Sequence, residues 1–174
     1  MKTLLAVVIV LFLVSAFVFV PSLLAEPLDV GAAAPTLKTV DENGKTVDLG
    51  EELKSGFTLV YFYPKADTPG CTKQACNLRD EFTAVSKAGI KVFGVSADTP
   101  ADQKAFKEKF KLPFVLIADK SGEVIKAFGV PLRGGSFASR QSFLVKDGKI
   151  VWRDLKAQPL TQAQNAIAAA KENS

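Results

Sequence analysis

Apolar positions along this chain change their spacing several times, and each change marks an element. From Thr3 to Ala25 no charged residue interrupts a run made mostly of Leu, Val, Phe and Ala. Such a run exceeds the roughly 7–15 residues of a secretory signal core and reaches the roughly 18–20 that span a bilayer. Residues 1–25 are therefore expected to be a signal peptide or a membrane anchor, and residues 26–174 the folded domain. Val14-Ser15-Ala16 and Leu23-Leu24-Ala25 are candidate cleavage sites, the second weakened by the bulk of Leu23. Lys2 precedes the run while Glu26 and Asp29 follow it, a bias that leaves the N-terminus inside and sends the domain across. The expectation is an exported protein, periplasmic or otherwise extracytoplasmic, with N-terminal membrane attachment through residues 3–25 if they are retained.

Beyond the leader the period alternates between strand and helix. Phe57 to Tyr63 is a short aromatic and β-branched run that reads as a buried strand ended by Pro64. Ala75, Leu78, Phe82 and Val85 then recur at three- and four-residue steps, which predicts an amphipathic helix from Cys71 to about Ala88. Ile90 to Ser96 is a second strand, and Thr99-Pro100 with Asp102 forms a capping-box-like start for a helix that buries Ala105, Phe106 and Phe110. Phe114 to Ala118 predicts a strand and Glu123 to Phe128 a short helix. Ser142 to Val145 and Ile150 to Trp152 flank a Gly-containing turn at Lys146 to Lys149, the pattern of a hairpin. Thr161 to Lys171 closes the chain as an Ala-rich helix, and Leu37 to Leu49, around Asp41 to Gly44, predicts an early hairpin. Alternating strands and helices of this kind describe an α/β fold, one sheet with helices on both faces.

Composition narrows the chemistry. Of 174 residues about 150 remain after the leader, enough for one domain with a sizeable core. Net charge is +4, or +3 without Lys2, and the basic residues are interspersed with acidic ones, so no nucleic-acid surface is expected. The chain has no histidine, which removes Ser-His-Asp and Cys-His activation and every His-ligated metal site. Two cysteines are too few for a thiolate zinc site, and neither a Walker loop nor G-x-G-x-x-G occurs. No cofactor and no metal are expected.

What remains is Cys71. Thr68-Pro69-Gly70 delivers it onto the first turn of the predicted helix. Unpaired backbone N–H groups and the positive end of the helix dipole favour an anion there, and hence the nucleophilic thiolate.

Pro64, Thr68 and Cys71 stand in a P-x-x-x-T-x-x-C arrangement, and this part of the chain resembles the peroxiredoxins. The string DTPGCTKQACNLRDEF is similar to the bacterioferritin-comigratory-protein (PrxQ) branch, and KVFGVSAD, LPFVLIADKSGEVIKAFGV and RQSFLVKDGKIVW follow in that family's order. The resemblance covers roughly residues 28 to 170 and implies a thioredoxin-like fold, a mixed β-sheet flanked by helices. It also implies a monomeric peroxidase for hydrogen peroxide and organic hydroperoxides, with Cys71 as nucleophile passing through a sulfenic acid. The same likeness assigns Pro64 to shielding the thiolate, Thr68 and Arg140 to holding peroxide and thiolate, and Cys76 to resolving the sulfenic acid as a disulfide reopened by a thioredoxin-like donor. Arg133, in a Gly-Gly loop, is expected to be solvated, and Arg79 and Asp80 to be structural. Ala97 stands where many relatives have Pro, and the loop before Arg140 also departs from the family pattern.

Five residues apart on a regular helix, Cys71 and Cys76 would have Cα atoms about 8.7 Å apart, beyond the roughly 4.4–6.8 Å of a disulfide. The helix must therefore unwind before the sulfurs meet. Two rival readings on the same fold are an exported thiol–disulfide oxidoreductase and a thiol-based metal-delivery protein. The first needs C-x-x-C and the second C-x-x-x-C with a remote His, whereas this chain has C-x-x-x-x-C and no His.

Overall fold

The computed structural model describes residues 26–174, so the leader expected over residues 1–25 lies outside the described residues. In chain order the elements are β1 (Lys38–Val40), β2 (Thr46–Asp48), α1 (Leu49–Leu53), β3 (Phe57–Phe62), α2 (Pro69–Asp80), α3 (Phe82–Lys87), β4 (Ile90–Ser96) and α4 (Pro100–Phe110). Then follow β5 (Val115–Ala118), α5 (Glu123–Ala127), β6 (Leu132–Arg133), β7 (Phe137–Ala138), β8 (Gln141–Lys146), β9 (Lys149–Asp154) and α6 (Gln162–Glu172).

The principal sheet has the order β5-β4-β3-β8-β9. β3 runs parallel to β4 and antiparallel to β8, so it is the central strand where the two senses meet. Both of its faces are buried, which explains a nearly continuous apolar run in place of alternation. Leu59, Tyr61 and Tyr63 point to one side, against Cys71, Ala75 and Leu78 of α2, Phe106 of α4 and the alanines of α6. Val60 and Phe62 point to the other, against Leu49 and Leu53 of α1 and Val124 and Ile125 of α5. This is the mixed α/β thioredoxin-like arrangement expected, with helices on both faces of one sheet.

Three details differ from the sequence reading. The helix expected to continue to Ala88 breaks at Glu81, whose amide bonds back to Asn77 while α3 begins afresh. Apolar spacing continues across the break because Phe82 and Val85 pack into the same core as Leu78, so periodicity alone does not register it. A short helix, α1, was not foreseen; Asp48 caps it, accepting from the Glu51 amide at 3.3 Å. Nor was the β6–β7 hairpin, whose turn uses Gly134 and Gly135 at positive φ.

Gly94 on β4 shows how tightly the sheet meets its α2 side. A Cβ built there would lie 2.6 Å from Tyr61 Oη and 2.8 Å from Leu116 Cδ2. The Tyr61 ring thus occupies the space that any other residue at 94 would need.

Candidate active site

Tyr63 still bonds to the sheet through its amide, 3.1 Å from Val95 O, and Pro64 then turns the chain out of β3. The loop that follows is pinned at each step. The Ala66 amide donates to Asp98 Oδ2 at 2.7 Å, Asp67 takes a left-handed φ of 55° and receives Lys109 Nζ at 2.7 Å, and the Thr68 hydroxyl donates to Lys65 O at 3.0 Å. Thr68 is the extended N-cap of α2 and Pro69 its first helical residue. The first intrahelical bond is Thr72 N to Thr68 O, so the amides of Gly70 and Cys71 precede the ladder and remain available as donors.

Cys71 is 2 % exposed at this helix start, and Arg140, in the residue before β8, reaches it from across the end of the sheet. Arg140 Nη2 lies 3.5 Å from Cys71 Sγ. The structure thus brings Arg140 onto Cys71 from 69 residues away and sets Pro64 on the same cleft as Arg140, while the Thr68 hydroxyl is turned to Lys65 O and Arg133 is left exposed on β6. Cys76 is half-buried on the same unbroken helix, and both thiols are free.

Two residues near the thiol were missed. Gln74, fully buried one turn after Cys71, accepts from Arg140 Nη1 through Oε1. Its position three residues beyond Cys71 put it on the thiol's helix face, a signal present in the sequence. Tyr61 lies in the same core cluster as Cys71. Burial, followed by the neighbouring Tyr63, Cys71 and Cys76, pushes its phenol well above the usual range, so it is a neutral wall beneath the thiols.

Arg140 also lines a cleft of about 540 Å³, together with Pro64, Arg133, Phe137, Leu155 and Pro159 among others. Among the described residues no cluster of His, Cys, Asp and Glu is arranged to hold a metal ion.

A buried cysteine on the first turn after the central strand of a mixed sheet, faced by a guanidinium, defines a thiol protein of thioredoxin-like fold. The AhpC/TSA family matches residues 30–153, and the chain belongs to that family, in its peroxiredoxin Q and bacterioferritin-comigratory branch. It is similar to peroxiredoxin Q, chloroplastic, of Oryza sativa subsp. japonica, 43% identical over 122 residues that cover 70% of this chain and 56% of the rice protein. It is also similar to peroxiredoxin bcp1 of Schizosaccharomyces pombe, 36% identical over 81% of this chain and 73% of the yeast protein. Thus the chain spans little more than half the length of the plant relatives it matches. Among solved structures, peroxidoxin BcpB from Mycobacterium tuberculosis superposes with a TM-score of 0.78 at 27% identity, covering 84% of this chain and 99% of that one. The Xanthomonas campestris bacterioferritin comigratory protein gives 0.75 at 27% identity, covering 84% and 97%.

These relatives correct one expectation. An exported, periplasmic or other extracytoplasmic location was inferred from the leader, yet the similar plant proteins are chloroplastic and the others are bacterial bcp and yeast bcp1 proteins, which overturns that assignment. Apolar length and a single flanking lysine do not by themselves specify the compartment of the domain that follows. Among the described residues no helix is long and apolar enough to cross a membrane.

Proposed function

We propose that this chain is a thiol-dependent peroxidase in which Cys71 is the nucleophile. The Cys71 thiolate attacks the terminal peroxide oxygen and the O–O bond breaks; the departing oxygen takes a proton and leaves as water or an alcohol, and Cys71 becomes a sulfenic acid. Departing hydroxide or alkoxide is a poor leaving group, so fixed donors must meet its charge. The observation that carries the reading is Arg140 Nη2 at 3.5 Å from the Cys71 sulfur, at a helix start with amides to spare. A peroxide seated between them would meet a permanent cation, the Cys71 amide and the Thr68 hydroxyl. Pro64, which lines the same cleft as Arg140, would limit the access of water to the sulfur. Alkyl peroxide reduction is the activity named for the similar Xanthomonas protein, which supports organic hydroperoxides as substrates beside hydrogen peroxide.

In the second half-reaction the Cys76 thiol attacks the Cys71 sulfenic sulfur, expelling water and forming an intramolecular disulfide. Both cysteines belong to α2 of one chain, so a monomer suffices. A thioredoxin-like dithiol then reopens the disulfide and is itself oxidised. The test is peroxide consumption by the wild type and by Cys71→Ser, followed by mass spectrometry of peroxide-treated protein. Loss of turnover in Cys71→Ser and a Cys71–Cys76 linkage are expected. Turnover retained in the variant would sink the reading; sulfenic acid persisting while Cys76 still alkylates would transfer resolution to an external thiol.

A further inference from the structure

Arg140 is a donor only, so whatever faces its second nitrogen must offer an oxygen. That fixes the orientation of Gln74: its Oε1 faces Arg140 Nη1, and its Nε2 is left to face Gln162. Gln162 must then accept through its own Oε1, and the structure shows that bond. Arg140 donates in two directions, to the sulfur of Cys71 and to Gln74, and Gln74 passes the donation on to Gln162 in the first turn of α6, 88 residues along the chain from Gln74.

The far end of this relay is the informative one. Gln162 is 2 % exposed, and its Nε2 has no partner among the described residues. An apolar side chain would fill that position without stranding a buried donor, so the benefit must lie in the oxygen that Gln162 presents to Gln74. Joining α2 to α6 does not require it, because Asn77 already does so, accepting from the Ala163 amide at 2.9 Å and donating to Leu160 O at 3.1 Å.

We propose that Gln162 is a positioning residue for the Cys71 reaction: through Gln74 it holds the Arg140 guanidinium against the Cys71 sulfur. The inference rests on the peroxidase reading above. Without Gln162 the Gln74 amide can rotate, and Arg140 loses the fixed acceptor that orients its other nitrogen towards the sulfur.

The experiment is stopped-flow oxidation of reduced full-length protein by hydrogen peroxide, with thermal unfolding of each variant in parallel. Gln162→Leu is expected to slow Cys71 oxidation roughly five-fold, the worth of one net hydrogen bond. In an Arg140→Ala background the same change should slow it no further, since the group being positioned is gone. Gln162→Glu, which keeps the acceptor, should recover most of the lost rate. Asn77→Ala should lower the unfolding temperature and leave the oxidation rate alone. If Gln162→Leu does not fold, Gln162→Met keeps the length without the acceptor and serves the same comparison. The proposal is overturned if the apolar variant oxidises at the wild-type rate, if it slows both backgrounds equally, or if Asn77→Ala is as slow. A wild-type protein inert to peroxide would instead bring down the peroxidase reading itself.

Discussion

Gly70→Ala offers a graded probe of the contact between Arg140 and Cys71. Gly70 is the second residue of α2, and it is not among the glycines that take a positive φ, so alanine meets no backbone strain there. A Cβ built at Gly70 would lie 3.2 Å from Arg140 Nη2, the same nitrogen that stands 3.5 Å from Cys71 Sγ. That separation is tighter than ordinary van der Waals contact, so the guanidinium must withdraw by a few tenths of an ångström. With an effective dielectric near 20, lengthening a charge–thiolate contact from about 3.5 to about 3.9 Å loses about 0.5 kcal/mol, a factor of roughly two in rate. The backbone effect has the opposite sign, because alanine in place of glycine in a helix stabilises by up to about 1 kcal/mol. The expected outcome is an equal or higher unfolding temperature together with a second-order rate of Cys71 oxidation lowered roughly two- to three-fold. Stopped-flow fluorescence of the reduced protein mixed with hydrogen peroxide measures the rate, and calorimetry the stability. An unchanged rate would show that Arg140 is not held where its distance matters, and a rate as low as that of Arg140→Ala would show that the helix start itself had been spoiled.

Arg140→Ala should slow oxidation at least about ten-fold, as expected for a lost hydrogen bond to a charged group, whereas Arg133→Ala, exposed on β6, should do little; equal effects would reverse the assignment. Gly94→Ala places a Cβ 2.6 Å from Tyr61 Oη and should cost about 1–3 kcal/mol by overpacking, with Tyr61→Phe in the same chain recovering part of it in urea titration. Hydrogen bonds from the Thr99 hydroxyl and amide hold the Asp102 carboxyl below its ordinary value. Its stabilising contribution is therefore present above the usual carboxylate range and lost as pH falls through the lowered value. Asp102→Ala should accordingly lower the unfolding temperature at neutral pH, with the gap to wild type closing in strong acid; a gap that widened there would refute the assignment.

How far the chain could be read before its structure was known follows from the range of each interaction. β3, β4, α4 with its capping box, and the β8–β9 hairpin all appear near their expected positions, because each is written in neighbouring residues: a period of two, a cap three residues from its partner, a Gly turn. Cys71 was legible for the same reason, since Thr68-Pro69-Gly70 builds a helix start locally. Arg140 was not legible from its own surroundings, where a basic residue before a strand is ordinary, and it was found through the family resemblance. Gln74 and Gln162 lie beyond both routes. A glutamine amide has the same donor and acceptor whichever way it faces, so its sequence position says nothing about its direction. Direction is imposed only when a group that can do nothing but donate, here Arg140, is brought beside it by the β3–β8 pairing. The relay therefore comes into existence with the tertiary fold, and it has a consequence for the redox cycle. Gln74 lies between Cys71 and Cys76, in the very turns that must unwind for the two sulfurs to meet. If Cys76 resolves Cys71 as proposed, the arrangement that orients Arg140 would be dismantled by that disulfide and would have to re-form with α2 before Cys71 reacted again.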